Sequence, residues 1–308
     1  LKDPNLGNIN PLWYQKINRI KHYIMSNYVQ RFLLENLAIR GSVVHLDSIW
    51  LQMTAGRNYP QPAAQLLGEM SAITLLLGDN LKQSGRLTIQ LTGNGPISML
   101  VLDCTENLHL RGMAKCAPLV AAQPVPDLLG DGRLLLTLDM PSMRESYQSI
   151  VPLEGNNIAE IFEHYFLQSE QLPSRLFLIA EHQSIFGLLL QKLPNADLQD
   201  PDGWVRAEAL AATVQDHKLL DLSAEQILMR LFYEETIRIF DPQPVHYGCK
   251  ENPTKIYTML RSLGREEVDS ILKEFGEVIV NDDICNREYR FDALAVDAIF
   301  REAGPTVH

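Results

Sequence analysis

Apolar residues along this chain follow two different periods, and the switches between them mark out its elements. Between Pro60 and Leu81, the positions Leu66, Leu67, Met70, Ile73, Thr74 and Leu77 recur at helical spacing. Proline in the first turn suits a helix start, because its missing N–H would lack an intrahelical partner anyway. Tyr28–Ile39 reads as a helix too, with Val29, Phe32, Leu33 and Leu37 on one face and Gly41 as its stop. From Leu87 the period shortens to two. Leu87, Ile89 and Leu91 alternate with polar residues, Gly93-Asn94-Gly95 turns the chain, and Ile97–Leu102 is predicted to return as the second strand of a hairpin. Further strands are expected at Leu108–Met113, Arg133–Asp139, Tyr147–Pro152, Arg175–Ala180 and Phe186–Gln191, with a helix over Asn156–Gln168 among them. Strands in clusters broken by helices argue an α+β fold.

The stretch 194–203 is polar and turn-rich, and a boundary is expected there. Beyond it, Trp204–Leu220 and Ser223–Glu235 are helical by period, and Ser223 with Gln226 has the spacing of a capping box. Asp241-Pro242-Gln243-Pro244 closes this section. The remainder reads as a small α+β unit. It has a helix from Asn252-Pro253 to Gly264, a second over Arg265–Phe275 with Val268, Ile271, Leu272 and Phe275 in one stripe, and a final helix capped by Asp292. Val278–Val280 and Tyr289–Phe291 form a predicted hairpin around Asp282-Asp283-Ile284-Cys285. The organisation is therefore residues 1–24 as an extension, 25–193 as a strand-rich core domain, 194–244 as a helical linker and 245–308 as the C-terminal unit. In the extension Trp13, Ile17, Ile20 and Ile24 recur at helical spacing, but Lys16, Arg19 and Lys21 break any signal-peptide core.

Composition narrows the function. Against 38 Asp and Glu stand 27 Lys and Arg, a net charge of −11, which counts against partners that need a basic footprint, nucleic acid and anionic membrane among them. No run of eighteen apolar residues occurs; Ala63–Leu77 comes nearest and is interrupted by Gln65 and Glu69. Four cysteines do not make a disulfide scaffold, so a reducing compartment, the cytoplasm, is expected. The chain lacks a phosphate-binding loop, a nucleophile elbow and an H-E-x-x-H pair, and Gly93-Asn94-Gly95 joins strand to strand as a hairpin turn. His45, His109, His164 and His182 have no ligand-like spacing, while Glu234-Glu235 and Glu266-Glu267 read as solvated helix charges. Cys104 and Cys116 read as buried thiols. Cys249 with Glu251, and Asp282 with Cys285, form a weak metal signal to which His246 could add a nitrogen.

Several long segments resemble, in the same order, the redox-regulated thirty-three-kilodalton bacterial heat-shock chaperones. They are Phe32-Leu33-Leu34-Glu35-Asn36 with Ala38-Ile39-Arg40-Gly41, Gly68-Glu69, Ser84-Gly85, Ile89-Gln90-Leu91 and Thr92-Gly93-Asn94-Gly95-Pro96. Tyr147-Gln148, Val151-Pro152-Leu153-Glu154-Gly155, Tyr165-Phe166, Ser169-Glu170-Gln171-Leu172-Pro173 and Glu266-Glu267-Val268-Asp269-Ser270-Ile271-Leu272 continue it. The resemblance covers the chain from Met25 to His308. It implies an ATP-independent holdase, not an enzyme, that binds unfolded client proteins and dimerises on activation. It also implies a role for linker side chains, Trp204, Leu210, Val214, Leu228, Leu231 and Phe232, that cover apolar surface at rest and expose it to clients.

Members of that family carry C-x-C and C-x-x-C, four thiolates on one zinc ion. Oxidation to two disulfides expels the zinc and unfolds the C-terminal unit and linker. Here the pairs read Cys249-Lys250-Glu251 and Asp282-Asp283-Ile284-Cys285, so two of the four ligands have become carboxylates. Three outcomes follow: zinc on Cys249, Glu251, Asp282 and Cys285; one disulfide between Cys249 and Cys285, adjacent as the resemblance implies and worth about 3–4 kcal/mol by loop closure; or a unit that folds with no cofactor and free thiols. The last is the expectation adopted, with opening by heat or another unfolding stress. Two other functions compete, a thiol-exchange enzyme using Cys249 and Cys285, beside which Lys250 is the one flanking cation, and an adaptor that binds a folded partner.

Overall fold

A computed structural model describes residues 27–81, 85–215, 222–249 and 253–301. The expected helix at Trp13–Ile24 lies outside these residues, as do Lys250 and Glu251. The chain divides into two compact units, one ending at Gly248 and the other starting at Cys249.

In the first unit the elements run in order: strands β1 (Tyr28–Leu34) and β2 (Ile39–Leu46), helices α1 (Ser48–Thr54) and α2 (Gln61–Gly78), and strands β3 (Arg86–Thr92), β4 (Ile97–Thr105) and β5 (His109–Cys116). Helix α3 (Val125–Leu129), strands β6 (Arg133–Asp139) and β7 (Tyr147–Val151), helix α4 (Ile158–Tyr165), and strands β8 (Ser174–Ala180) and β9 (Ile185–Lys192) follow. Helices α5 (Ala196–Gln199), α6 (Gly203–Ala211) and α7 (Ala224–Leu231) lead to the short strands β10 (Ile237–Ile239), β11 (Gln243–Pro244) and β12 (His246–Tyr247).

One sheet has the order β10-β1-β2-β9-β8, with β11 also on β1; the other runs β12-β5-β4-β3-β6-β7. Both are antiparallel except where β12 joins β5. Helix α2 packs against strands of both sheets and is buried on most of its circumference, as an apolar helix must be. Its buried hydroxyls bond back within the helix, Ser71 to the Leu67 carbonyl and Thr74 to that of Met70, each at 2.7 Å.

The helix expected over Tyr28–Ile39 is instead β1, a short 3₁₀ turn at Glu35–Leu37 and the start of β2. Val29 packs into the core around α2, while Tyr28, Phe32 and Leu34 pack into a second cluster on the opposite face. A strand with apolar residues on both faces loses its polar alternation, and the remaining pattern imitates helical spacing. Gly41 is then no helix stop: it lies inside β2 opposite Phe32. The helix expected over Ser223–Glu235 ends at Leu231, because Phe232 leaves helical geometry and the chain turns into β10, which pairs with β1.

The second unit contains α8 (Pro253–Leu263), α9 (Arg265–Phe275), the hairpin β13 (Val278–Asp282) with β14 (Arg287–Phe291), and α10 (Ala293–Arg301), as the sequence predicts. Its core is thin: Ile256, Leu260, Val268, Val278, Phe291, Val296 and Ile299.

Candidate functional site

Two features could carry function. The first is the outer face of the β1-β2-β9-β8 sheet. Tyr28, Phe32, Leu34, Ile39, Val43, Phe186, Leu188 and Leu190 make one apolar surface, with Phe177 and Ile179 at its margin. Over it lie α6, the 3₁₀ turn Ala212–Gln215 and α7. Helix α6 presents Ala207 and Ala211, both wholly buried, and small side chains let its backbone come close to the sheet. Helix α7 presents Ala224, Ile227, Leu228 and Leu231, followed by Phe232, whose ring centroid lies 6.2 Å from that of Phe32.

Of the linker side chains singled out, Val214, Leu228, Leu231 and Phe232 are buried in this cluster, and Trp204 and Leu210 are packed at its edge. Sequence reasoning missed Ala207, Ala211 and Ile227, and the whole sheet side of the contact. The spacing Phe186-x-Leu188-x-Leu190 carried that second signal, since every other residue of β9 faces the helices.

Polar contacts fix the cover at its ends. The capping box forms as expected: Gln226 N–H donates to the Ser223 hydroxyl and Ser223 N–H to the Gln226 side chain. The next N–H, of Ala224, donates to the Tyr28 hydroxyl at 2.9 Å. Burial, with a smaller push from Glu225, raises the Tyr28 pKa, so this phenol stays neutral and able to accept. Arg206 on α6 reaches Asp200 at 2.8 Å and Glu235 at 2.9 Å, joining the start of α6 to the turn after α7. Arg175 on β8 pairs with Glu163 of α4 and Glu208 of α6. These pairs are partly exposed, and each is worth about 0–1 kcal/mol, so apolar packing dominates.

The second feature is the cysteine pair of the C-terminal unit. Cys249 and Cys285 are joined as a disulfide, Cα atoms 5.4 Å apart and both residues buried. The expectation of free thiols is therefore corrected: the start of the unit and the hairpin turn are close enough for their sulfurs to bond. The Asp282 Oδ1 accepts the Cys285 N–H at 3.1 Å and shapes the turn. Arg287 donates to the Cys249 carbonyl at 3.0 Å. His246 lies in β12, paired with His109 of β5, their ring centroids 5.1 Å apart. Among the described residues no three His, Cys, Asp or Glu side chains converge as metal ligands. Bonded to each other, the two sulfurs carry no thiolate charge with which to hold a zinc ion.

Cys104 and Cys116 are free. Burial, reinforced by Asp103, Asp79 and Glu106, pushes the Cys104 thiol up to about 12. No helix of the described residues is long and apolar enough to cross a membrane.

Comparison with known proteins places this arrangement. The fold is shared with the solved 33 kDa chaperonin of Thermotoga maritima, at a TM-score of 0.74 and 21% identity over 90% of this chain and 99% of that one. The family model described as "Hsp33 protein" matches residues 27–292. The 33 kDa chaperonin of Methylobacillus flagellatus is 41% identical over 278 residues, covering 90% of this chain and 95% of its own. That of Nitrosococcus oceani is 40% identical over 274 residues, covering 89% and 94%. The class is a heat-shock chaperone. The chain belongs to the Hsp33 family.

Proposed function

We propose that this chaperone is an ATP-independent holdase whose client surface is the sheet face now under α6 and α7. One observation carries the reading: the sheet is apolar on both sides, and its outer side is covered by a short helical segment, not by the main core. Lifting that segment brings Tyr28, Phe32, Leu34, Ile39, Phe186 and Leu188 into view together. That would exceed the roughly 300–600 Å² apolar patch a soluble monomer ordinarily leaves open, and such a patch captures unfolded chains.

The trigger proposed is heat or another unfolding stress. The cover rests on a limited apolar contact with weak ion pairs at its rim, and elements of that kind open well below the global unfolding free energy. Peroxide has a small part, because the four-thiolate zinc centre that couples oxidation to unfolding lacks two of its sulfurs.

Light scattering from an unrelated unfolding protein tests this, with the chaperone either kept cool or preheated, in the presence of dithiothreitol or of peroxide. Suppression of aggregation that follows preheating in both solutions supports the proposal. Suppression that requires peroxide, or none in any condition, contradicts it.

A further inference from the structure

We infer that the Cys249–Cys285 disulfide is a reducible staple that gives the C-terminal unit an inverted redox response: oxidation tightens its fold and reduction by a dithiol loosens it. In the four-thiolate arrangement the reduced sulfurs, on zinc, hold the unit together and their oxidation releases it. Here the sulfurs hold the unit only when bonded to each other.

The geometry makes the bond structural. It closes a loop of sequence separation 36, which contains all of α8, α9 and β13. Three of the unit's five described elements are thus enclosed between the two sulfurs. A cross-link lowers the freedom of the unfolded chain, and a longer loop gains more. The unit needs this help. Among the described residues its apolar core is seven buried side chains, whereas Leu263, Phe275, Ile279 and Leu294 are all more than two-fifths exposed. Both ends of the bond are also prepared by polar contacts. Asp282 sets the turn that carries Cys285, and the Arg287 guanidinium holds the Cys249 carbonyl. Cys249 is the first residue of the unit, so opening the bond frees its beginning from its hairpin.

The step needs a dithiol and nothing else. Its thiolate attacks one cysteine sulfur, the S–S bond breaks, and the other cysteine leaves as a thiolate that takes up a proton. The reductant's second thiol then displaces the mixed disulfide. Two electrons and two protons have passed to the protein, leaving two cysteine thiols and an oxidised reductant. Since both cysteines are buried, attack waits on local opening, and opening and reduction favour each other. This inference concerns the folding of one unit and stands apart from the holding of clients, which a separate assay reads.

The test is hydrogen exchange by mass spectrometry on the full chain, oxidised with glutathione disulfide or reduced with dithiothreitol. Alkylation after denaturation counts the thiols. The oxidised protein is expected to give two alkylated cysteines and the reduced protein four. Peptides from 253–301 are expected to exchange at least tenfold faster after reduction, with peptides of β3 and β4 unchanged as the control. The Cys249→Ser variant should exchange at the faster rate in both solutions. Should that variant fail to accumulate, Cys104→Ser with Cys116→Ser removes the other thiols and keeps the redox comparison. Four alkylated cysteines after oxidation, equal exchange in the two states, or faster exchange on oxidation would each overturn the inference.

Discussion

The Phe32 ring lies across Gly41, its partner in the β1–β2 register, where any Cβ would run into the ring and the Leu189 carbonyl. The same ring packs near Phe232 of the cover, ring centroids 6.2 Å apart. One glycine thus sets the height of the aromatic residue on which the helical segment rests. Replacing it, Gly41→Ala, forces Phe32 out of place. A loss of about 1–3 kcal/mol is expected, as for overpacking elsewhere. Chemical denaturation monitored at the cover and at the core should show the cover losing more.

Apolar packing and ion pairs contribute unequally to closing the cover. Phe232→Ala leaves a void under α7 and should cost about 3–5 kcal/mol, the usual range for a buried Phe. Glu208→Ala removes one partner of Arg175 at a partly exposed site and should cost under about 1 kcal/mol. Binding of a dye specific for apolar surface, followed against temperature, should begin earlier in the first variant and almost unchanged in the second.

Stability should depend on pH through Glu69 of α2. Burial raises this carboxyl's pKa above its ordinary value of 4.5, and the hydrogen bond from Gln65 at 2.8 Å offsets only part of that. The folded state therefore holds the proton more tightly than the unfolded state. The associated stability is complete below the ordinary value and is lost as pH rises through the raised one. Glu69→Gln keeps an oxygen for Gln65 and removes the charge. Its advantage in urea midpoint over the parent should be absent near pH 4 and grow towards pH 7.

Thiol reactivity should separate the two free cysteines. With its pKa pushed up to about 12 and its side chain buried, Cys104 should resist iodoacetamide at pH 8 until the domain unfolds. Cys116 is partly exposed and should react first. Mass spectrometry of peptides after a short labelling pulse checks the order.

The α+β class and most elements were legible because their periodicity is local. Arg133–Asp139 stands as predicted to the residue, and the Ser223–Gln226 capping box formed. What failed was tertiary in origin. Tyr28–Leu34 imitates a helix because β1 carries apolar residues on both faces, and neither sequence spacing nor propensity reports a second layer. Strand β10 is three residues long and exists through pairing with β1, a partner about two hundred residues away in sequence. The linker's large apolar residues carry a readable signal, but Ala207 and Ala211 do not, since alanine at a close contact has no hydrophobic signature. That the two cysteines lie near each other is implied by the resemblance alone. Whether they bond depends on the distance between Cys249 and the hairpin turn, which no local pattern encodes.

The client surface can be located directly. Phe177 at the margin of the covered sheet can be replaced by a photo-crosslinking phenylalanine, and Leu119, exposed outside it, serves as the comparison. After preheating with an unfolding protein, light is expected to crosslink the client at position 177, far less at 119, and at neither position in the cool, closed chaperone. Suppression of aggregation by the same preparation with no crosslink at 177, or equal crosslinking at both positions, would contradict the proposed client surface.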